Sequence, residues 1–238
     1  MSTTAGGFVF LKYLMQDAGF VQKAFSGIAE RYVLTNHVLS LGIDVLWRRK
    51  TAALVASLKP KWVLDLATGS GDLAAEIQKR CPEARVIGGD FCPPMMAHAQ
   101  RRGLSALMAA DGLCLPVKDG SIDVLTVAFG LRNMASWPKA LQEMNRVLRP
   151  GGHLIVLDFS LPRLALLRKP YVWYLENVMP WIAGLLTGKR EAYDYLCRSI
   201  ELFPSGAAME SLMKANGFED ASSEPLSFGI ASLYVARR

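Results

Sequence analysis

The alternation of short apolar runs with helical segments between Trp62 and Phe159 constrains the fold of this 238-residue chain more than any other feature. Five runs have the length and composition of strands: Trp62–Ala67, Arg85–Asp90, Ser105–Asp111, Ile122–Phe129 and His153–Phe159. Amphipathic segments such as Asp72–Arg80 and Trp137–Leu148 lie between them. Aromatic-rich helices follow from about Leu161 to Glu201, and the C-terminal part adds one more helix and two strands. Strands that alternate with helices predict an α/β protein with a largely parallel sheet covered on both faces.

Composition excludes several classes of protein. The net charge is +6, but the 27 basic residues are scattered and form no block with interleaved aromatic residues, so no nucleic acid is expected as a partner. The four cysteines form no CxxC pair, which predicts free thiols and no disulfide framework. No run approaches the roughly 20 apolar residues of a spanning helix, and the N-terminus lacks the basic region of a leader. We therefore expect a cytoplasmic protein.

The first strand ends in a glycine-rich turn, Asp65 to Asp72, with the sequence DLATGSGD. Glycines such as Gly69 and Gly71 let the backbone approach a ligand, and the following helix presents unpaired N–H groups. With Asp90 about 20 residues further on, the turn also matches a dinucleotide-binding pattern. However, the two carboxylates would repel a pyrophosphate and attract the ammonium and sulfonium of S-adenosylmethionine. Asp72 also has a second explanation, because a carboxylate in a first helical turn complements the helix dipole.

Acidic residues also end the second and third predicted strands. Asp90 is placed to accept hydrogen bonds from both hydroxyls of a ribose. Asp111, which precedes Gly112, can accept a hydrogen bond from an adenine amino group. Each of them alone is equally compatible with a turn-forming aspartate. An acid at three consecutive strand ends favours a nucleoside ligand at the carboxyl edge of the sheet.

The fourth predicted strand leads into AFGLRNM, residues 128–134, in which Arg132 and Asn133 follow a buried run almost at once. A loop with one surface charge explains this pattern. So does a site at the carboxyl end of the strand, where α/β sheets bind their ligands. No spacing of His, Cys, Asp or Glu indicates a metal site, and none is expected.

These blocks together resemble the ubiquinone/menaquinone biosynthesis C-methyltransferases, a family of class I S-adenosylmethionine-dependent methyltransferases. VLDLATGSGDLA and DGLCLP are shared by many class I enzymes. The more specific blocks are FSGIAERYVLTNHVLSLGIDVLWR, AFGLRNM with KALQEMNRVLRPGGHLIVLDFS, and YLCRSIELFPSGAAMESLMKANGF. The resemblance extends from about Val21 to the C-terminus. It implies a Rossmann-like sheet of order 3-2-1-4-5-7-6 with an antiparallel last strand.

The resemblance also implies domains and site residues. Residues 1–50 would form an N-terminal helical cap that contributes to the acceptor pocket, and residues 51–238 the methyltransferase domain, with a helical lid at about 161–201. S-adenosylmethionine would contact residues of the turn and the strand ends: Asp65, Gly69, Ser70, Gly71, Asp90, Asp111, Gly112 and Ala128. Tyr32, Arg132 and Asn133 would form the catalytic pocket. The chain departs from the family at Val33, where the family has Asp, and at Ala128, where a small polar residue is common.

The implied reaction is C-methylation of a polyprenylated quinol ring. Arg132 is always protonated and would stabilise the developing phenolate, Asn133 would orient the oxygen, and Tyr32 would close the network. His37 is an alternative base. A core helix is the default interpretation of the aromatic-rich segment Tyr171–Trp181. In the context of the resemblance, the region from about Tyr171 to Arg190 would instead cover a hydrophobic substrate, with basic residues facing lipid headgroups at a membrane surface. Other readings remain open: another phenolic or lipid acceptor, a nicotinamide-dependent oxidoreductase, or an inactive assembly partner. The sequence leaves open the ring, the tail length and whether the chain forms a homodimer.

Overall fold

Seven strands form a single mixed sheet in the computed structural model, which describes residues 42–162, 164–178 and 198–238. The strands are β1 (Trp62–Leu66), β2 (Arg85–Asp90), β3 (Leu107–Ala109), β4 (Ile122–Ala128), β5 (Leu148–Phe159), β6 (Glu219–Leu226) and β7 (Ala231–Arg237). Their order is β3-β2-β1-β4-β5-β7-β6. Strands β1 to β5 pair in parallel, and β7 is antiparallel to both β5 and β6. The predicted strand order and antiparallel last strand are confirmed.

Helices cover both faces of the sheet, as the alternation predicts. They are α1 (Asp44–Ser57), α2 (Asp72–Arg80), α3 (Pro93–Arg101), α4 (Trp137–Val147), α5 (Ala165–Trp173) and α6 (Ala207–Ala215). Apolar residues of α1, α2 and α3 belong to one core cluster, and those of α4 and α6 to a second cluster. Both clusters include strand residues, because parallel strands bury side chains on both faces.

Two strands end one residue earlier than predicted, and both ends lie at the carboxyl edge of the sheet. Ala67 follows β1 with φ of +55°, and Phe129 follows β4 with φ of +58°. Non-glycine residues rarely adopt this left-handed conformation, and such residues cluster at functional sites. Strand β5 begins earlier than predicted, at Leu148, which pairs with Ile122 before a shift of register.

The predicted cap and lid are only partly within the described residues. The expected boundary between residues 50 and 51 falls inside α1, which packs against the core, while Tyr32 and His37 lie outside the described ranges. At the start of the predicted lid, α5 leads into a π-helical turn, Tyr174–Val178, where Leu175 is fully buried. Of the predicted lid at about 161–201, residues 163 and 179–197 are outside the described ranges. None of the described helices has the length and apolar character needed to cross a membrane.

Candidate active site

Two adjoining clefts open at the carboxyl edge of the sheet. The larger encloses about 910 Å³ between its atoms and the smaller about 390 Å³. They share four lining residues: Ala67, Gly69, Met95 and Ala128. Because these four residues border both clefts, the two clefts adjoin and form one depression beside the ends of β1 and β4.

The glycine-rich turn is held to the end of β2 by Asp90. One carboxylate oxygen of Asp90 accepts the backbone N–H of Gly69 at 2.7 Å, and the other accepts that of Cys92 at 2.8 Å. Asp90 is only 8% exposed, and burial raises its pKa against the opposing effect of these backbone donors. Gly69 lines both clefts, whereas Gly71 lines neither. A Cβ on Gly71 would lie 2.9 Å from the Cβ of Ala99 on α3, so this glycine allows α3 to approach closely.

Asp65 is buried at the end of β1 and accepts hydrogen bonds from two threonine hydroxyls. These are Thr126 on the neighbouring strand at 2.6 Å and Thr68 in the turn at 2.7 Å. Burial raises the pKa of Asp65 to about 6, while the threonine hydroxyls and the charge of Arg48 lower it. Asp65 lines the smaller cleft together with Ser70 and Asp72. The sequence predicted this carboxylate, but not the threonine from β4 that supports it.

Asp111 and Gly112 line the larger cleft beyond the end of β3. Asp111 is exposed and accepts the backbone N–H of Leu113 at 2.9 Å, which fixes the turn. A Cβ on Gly112 would approach the sulfur of Met134 to 2.8 Å, so a larger residue would push Met134 and narrow the cleft. Ala128, at the end of β4, lies where the two clefts meet.

Asn133 is the predicted catalytic residue whose side chain faces the larger cleft. It ends a short 3₁₀ turn, Leu131–Asn133, that follows β4. Its amide nitrogen lies 3.3 Å from the carbonyl oxygen of Phe129, which orients the side chain. A carboxamide in this position can donate to, or accept from, an oxygen of a bound acceptor.

Arg132 lines neither cleft, although it precedes Asn133 in the same turn. Its side chain is 0% exposed and lies over the Phe159 ring, 5.4 Å from the centroid. The guanidinium Nη1 donates to Asp158 Oδ1 at 2.5 Å and to the carbonyl of Phe129 at 2.8 Å. Burial raises the pKa of Asp158, and the adjacent guanidinium opposes that rise. A direct contact between Arg132 and an acceptor would therefore require the guanidinium to leave Asp158.

A second arginine, Arg48, does reach the clefts, and the sequence analysis did not assign it to the site. Arg48 lies in the second turn of α1, pairs with Asp44 one turn earlier, and lines the smaller cleft. Its guanidinium lies 5.2 Å from the centroid of the Phe129 ring. The spacing of four residues in DVLWR could have predicted the Asp44 pair, because residues i and i+4 are neighbours on a helix. The packing of α1 against α2, the helix that follows the glycine-rich turn, brings this arginine to the site.

The donor set fits S-adenosylmethionine. Two carboxylates, Asp90 and Asp111, and apolar walls that include Leu66 and Met134 line the larger cleft. A ribose and an adenine need such acceptors and such apolar surfaces. The smaller cleft carries both negative and positive side chains, which suits a zwitterionic amino-acid group. Within the described residues no group of three or more His, Cys, Asp or Glu could hold a metal ion.

The chain is similar to known methyltransferases over most of its length. The model of the ubiE/COQ5 methyltransferase family matches residues 12–238. A demethylmenaquinone methyltransferase of Thermus thermophilus is 46% identical over 219 residues, which cover 90% of this chain and 99% of that protein. The ubiquinone/menaquinone biosynthesis C-methyltransferase UbiE of Bdellovibrio bacteriovorus is 39% identical over 220 residues, 90% of this chain and 94% of that protein. A SAM-dependent methyltransferase of Thermotoga maritima, of known structure, superposes with a TM-score of 0.65 at 18% identity, covering 91% of this chain and 99% of that one.

Proposed function

Since the chain belongs to the ubiE/COQ5 methyltransferase family, we propose that it methylates the reduced naphthoquinone ring of a polyprenylated demethylmenaquinol. The chain is an S-adenosylmethionine-dependent C-methyltransferase of quinone biosynthesis. The observation that carries the proposal is the pair of adjoining clefts at the carboxyl edge. Asp90, Asp111 and Asn133 line the larger cleft, and Asp65, Asp72 and Arg48 line the smaller one. The relative with 46% identity, a demethylmenaquinone methyltransferase, favours a naphthoquinol over a benzoquinol.

Bound S-adenosylmethionine supplies an electrophilic methyl group, so the chain's own residues must hold the cofactor and prepare the acceptor. The larger cleft would take the nucleoside, with Asp90 accepting from the ribose and Asp111 from the adenine. A quinol carbon becomes a good nucleophile when the adjacent hydroxyl loses its proton, and a phenol titrates only near pH 10. Asn133 is placed to hydrogen bond that oxygen and so to favour the ionised ring.

Arg132 enters the proposal as a positioning residue. Its guanidinium donates to the carbonyl of Phe129, the same carbonyl that orients the amide of Asn133. The buried ion pair with Asp158 joins the end of β5 to the turn that carries Asn133. This arrangement holds Asn133 at the cleft. Tyr32 would complete the acceptor pocket from the N-terminal cap.

The decisive experiment compares acceptors side by side. Methyl transfer from labelled S-adenosylmethionine would be measured with reduced demethylmenaquinone, with the benzoquinol precursor of ubiquinone, and with a simple phenol. We expect transfer to the naphthoquinol ring carbon to exceed transfer to the other two. If the benzoquinol is methylated faster, the proposed naphthoquinol substrate is wrong and the substrate is a benzoquinol. Transfer to a phenolic oxygen would overturn the proposed C-methylation.

We further propose that the carboxyl edge of the sheet docks on an anionic membrane surface, from which a polyprenyl tail must be drawn. Exposed apolar side chains lie on segments connected to this edge: Leu166 and Trp173 on α5, which follows β5, and Phe228 in the turn before β7, whose first residue pairs with the last residue of β5. Leu46 in the first turn of α1 is also exposed, next to Trp47, which donates to Ser227 in that turn. The exposed basic pair Arg168 and Lys169 lies on α5 among them. Apolar side chains with adjacent basic residues are typical of helices that lie in the membrane interface.

Sedimentation with lipid vesicles tests this surface. We expect the protein to bind vesicles that contain phosphatidylglycerol and to bind less when the vesicles contain only phosphatidylcholine. A Leu166→Ser/Phe228→Ser variant should bind less, while an Arg85→Ser variant at the opposite edge of the sheet should bind normally. Equal binding by all three proteins would contradict the assigned surface.

A further inference from the structure

The smaller cleft contains an arginine that the proposed reaction has not yet used. Arg48 reaches this cleft from α1 and faces the glycine-rich turn, whose carboxylates Asp65 and Asp72 line the same space. The cleft adjoins the larger one at Gly69 and Ala128, which line both. A ligand whose nucleoside occupies the larger cleft would therefore extend its other end past these three charged groups.

That other end of S-adenosylmethionine is an amino acid with one α-ammonium and one α-carboxylate. Asp65 and Asp72 suit the ammonium but would repel the carboxylate. In the described residues, Arg48 is the one cationic side chain that lines the smaller cleft. We propose that Arg48 binds the α-carboxylate of S-adenosylmethionine, a role that rests on the proposed use of this cofactor.

The guanidinium of Arg48 is held in place and still accessible. Its Nη1 pairs with the buried carboxylate of Asp44, and its plane lies near the Phe129 ring. Within the described part of the chain, the Asp44 contact is the only hydrogen bond of this side chain, which is 10% exposed. A guanidinium has five N–H donors, so a second carboxylate can bind while the first pair stays intact. Fixed, partly desolvated donors bind carboxylates more strongly than mobile surface ones.

The charges around the cleft also require such a cation. Asp72 is already paired with Arg102 at the end of α3 and accepts the hydroxyl of Ser70. Asp65 is held by its two threonines, and the charge of Arg48 already lowers its pKa. A ligand carboxylate that entered beside these two acids would be repelled without an opposing charge. Arg48 supplies that charge from the opposite wall.

Calorimetry with matched ligands tests the assignment without turnover. The ligands are S-adenosylmethionine and decarboxylated S-adenosylmethionine, which differ only in the α-carboxylate. We expect the wild type to bind the first at least about tenfold more tightly. Arg48→Met should reduce this preference to about twofold or less, with little change in the affinity for the decarboxylated ligand. Arg49→Met, a change at the adjacent exposed arginine, should leave the preference intact.

The outcomes separate this inference from the proposed function. If neither ligand binds the wild type, the assignment of the cofactor fails. If the wild type binds S-adenosylmethionine and Arg48→Met keeps the full preference for the carboxylate, only the role of Arg48 fails. Should Arg48→Met not fold because the buried Asp44 carboxylate loses this ion pair, the Arg48→Met/Asp44→Asn variant provides the same comparison. Arg48→Lys should restore part of the preference, since a point charge replaces the planar fork.

Discussion

Two arginine–aspartate pairs flank the same two phenylalanine rings, and they differ in what else they can reach. Phe129 and Phe159 pack with their centroids 4.7 Å apart. Arg132, paired with Asp158, lies against Phe159, and its side chain is 0% exposed. Arg48 lies against Phe129, and its side chain is 10% exposed at the smaller cleft. One pair is enclosed in the core, while the arginine of the other lines an open cleft.

The difference shows that the sequence position of an arginine near a strand end does not by itself decide whether its side chain faces a site. Arg132 stands where the carboxyl end of β4 meets the cleft, yet its guanidinium turns back to the neighbouring strand β5. Arg48 lies far from any strand end in the sequence and reaches the glycine-rich turn through helix packing. The direction of the side chain, which depends on its partner, decides between the two roles.

The largest effect is expected from breaking the fully buried pair. Arg132→Ala leaves the Asp158 carboxylate buried and uncompensated, which costs about 3–5 kcal/mol in the free energy of unfolding. Arg48→Ala should lower it less, by on the order of 1–3 kcal/mol, because Arg48 lines an open cleft and water can occupy the space that its side chain leaves. Urea unfolding of both variants at pH 7 measures the difference. An equal loss in the two variants would contradict the comparison.

A double replacement separates stability from catalysis at Arg132. Arg132→Met/Asp158→Leu removes both charges, and apolar replacements of a buried pair are often neutral or stabilising. We expect this variant to fold and to bind S-adenosylmethionine almost normally, while methyl transfer falls by roughly a hundredfold as Asn133 loses its support. Because more of the quinol ionises without help at higher pH, the loss should shrink there. Normal transfer at neutral pH would limit Arg132 to a structural role.

Asn133 provides the next test, since it shares a turn with Arg132 and faces the cleft. Asn133→Ala removes one contact of 3.3 Å to the Phe129 carbonyl, so stability should fall by only about 1 kcal/mol. Methyl transfer should fall by about a hundredfold with the affinity for S-adenosylmethionine preserved. Steady-state rates and calorimetry measure the two quantities. A loss of cofactor affinity equal to the loss of rate would place Asn133 at the cofactor instead of the acceptor.

The fold was predictable because it follows from local patterns that the sequence carries in full. The bounds of β2 and α2 match the prediction to the residue, and the strand order is the one that the family resemblance implies. The misjudged ends after β1 and β4 lie at Ala67 and Phe129, where left-handed backbone ends the strand. Alanine and phenylalanine rarely adopt a positive φ, so their residue types did not predict this conformation.

The site was less predictable because it depends on contacts between distant segments. Asp90 was identified from its strand end, but its two backbone donors are visible only in the folded chain. The pairing of Asp65 with Thr126 requires the register between β1 and β4. The burial of Arg132 follows from Asp158, which lies one strand away and 26 residues later in the chain. Composition and spacing carry none of this information.

A smaller effect is expected at Asp90, which belongs to the cofactor end of the depression. Asp90→Ala removes the proposed acceptor for the ribose and the support of Gly69, so the affinity for S-adenosylmethionine should weaken by about 1–3 kcal/mol. Calorimetry on the folded variant measures it. Asp111→Ala is the matched change at the adenine side and should weaken binding less, because Asp111 is exposed. Unchanged affinity in folded Asp90→Ala would show that the ribose lies elsewhere.

The smallest effect is a pH dependence that connects Asp65 to Arg48. The pKa of Asp65 is about 6 in the folded chain, above its ordinary value, so the folded state holds a proton that the unfolded state releases. Asp65 therefore destabilises the fold at pH 7, and its contribution to the free energy of unfolding rises as the pH falls. Between pH 7 and 5.5 the rise should be about 1 kcal/mol, obtained as the difference between the wild type and Asp65→Asn. That difference isolates Asp65 from Asp90 and Asp158, whose pKa values are also raised.

The two arginines should act on this pH dependence differently. The charge of Arg48 lowers the pKa of Asp65, and that of Asp90 raises it, whereas Arg132 is not among the groups that affect it. The Arg48→Met/Asp44→Asn variant lacks the charge of Arg48, so its Asp65 should titrate at a higher pH than the Asp65 of the wild type. Arg132→Met/Asp158→Leu should leave it in place. Carboxyl chemical shifts of Asp65 followed by NMR measure both titrations, and equal titrations in the two variants would mean that the charge of Arg48 does not reach the cleft.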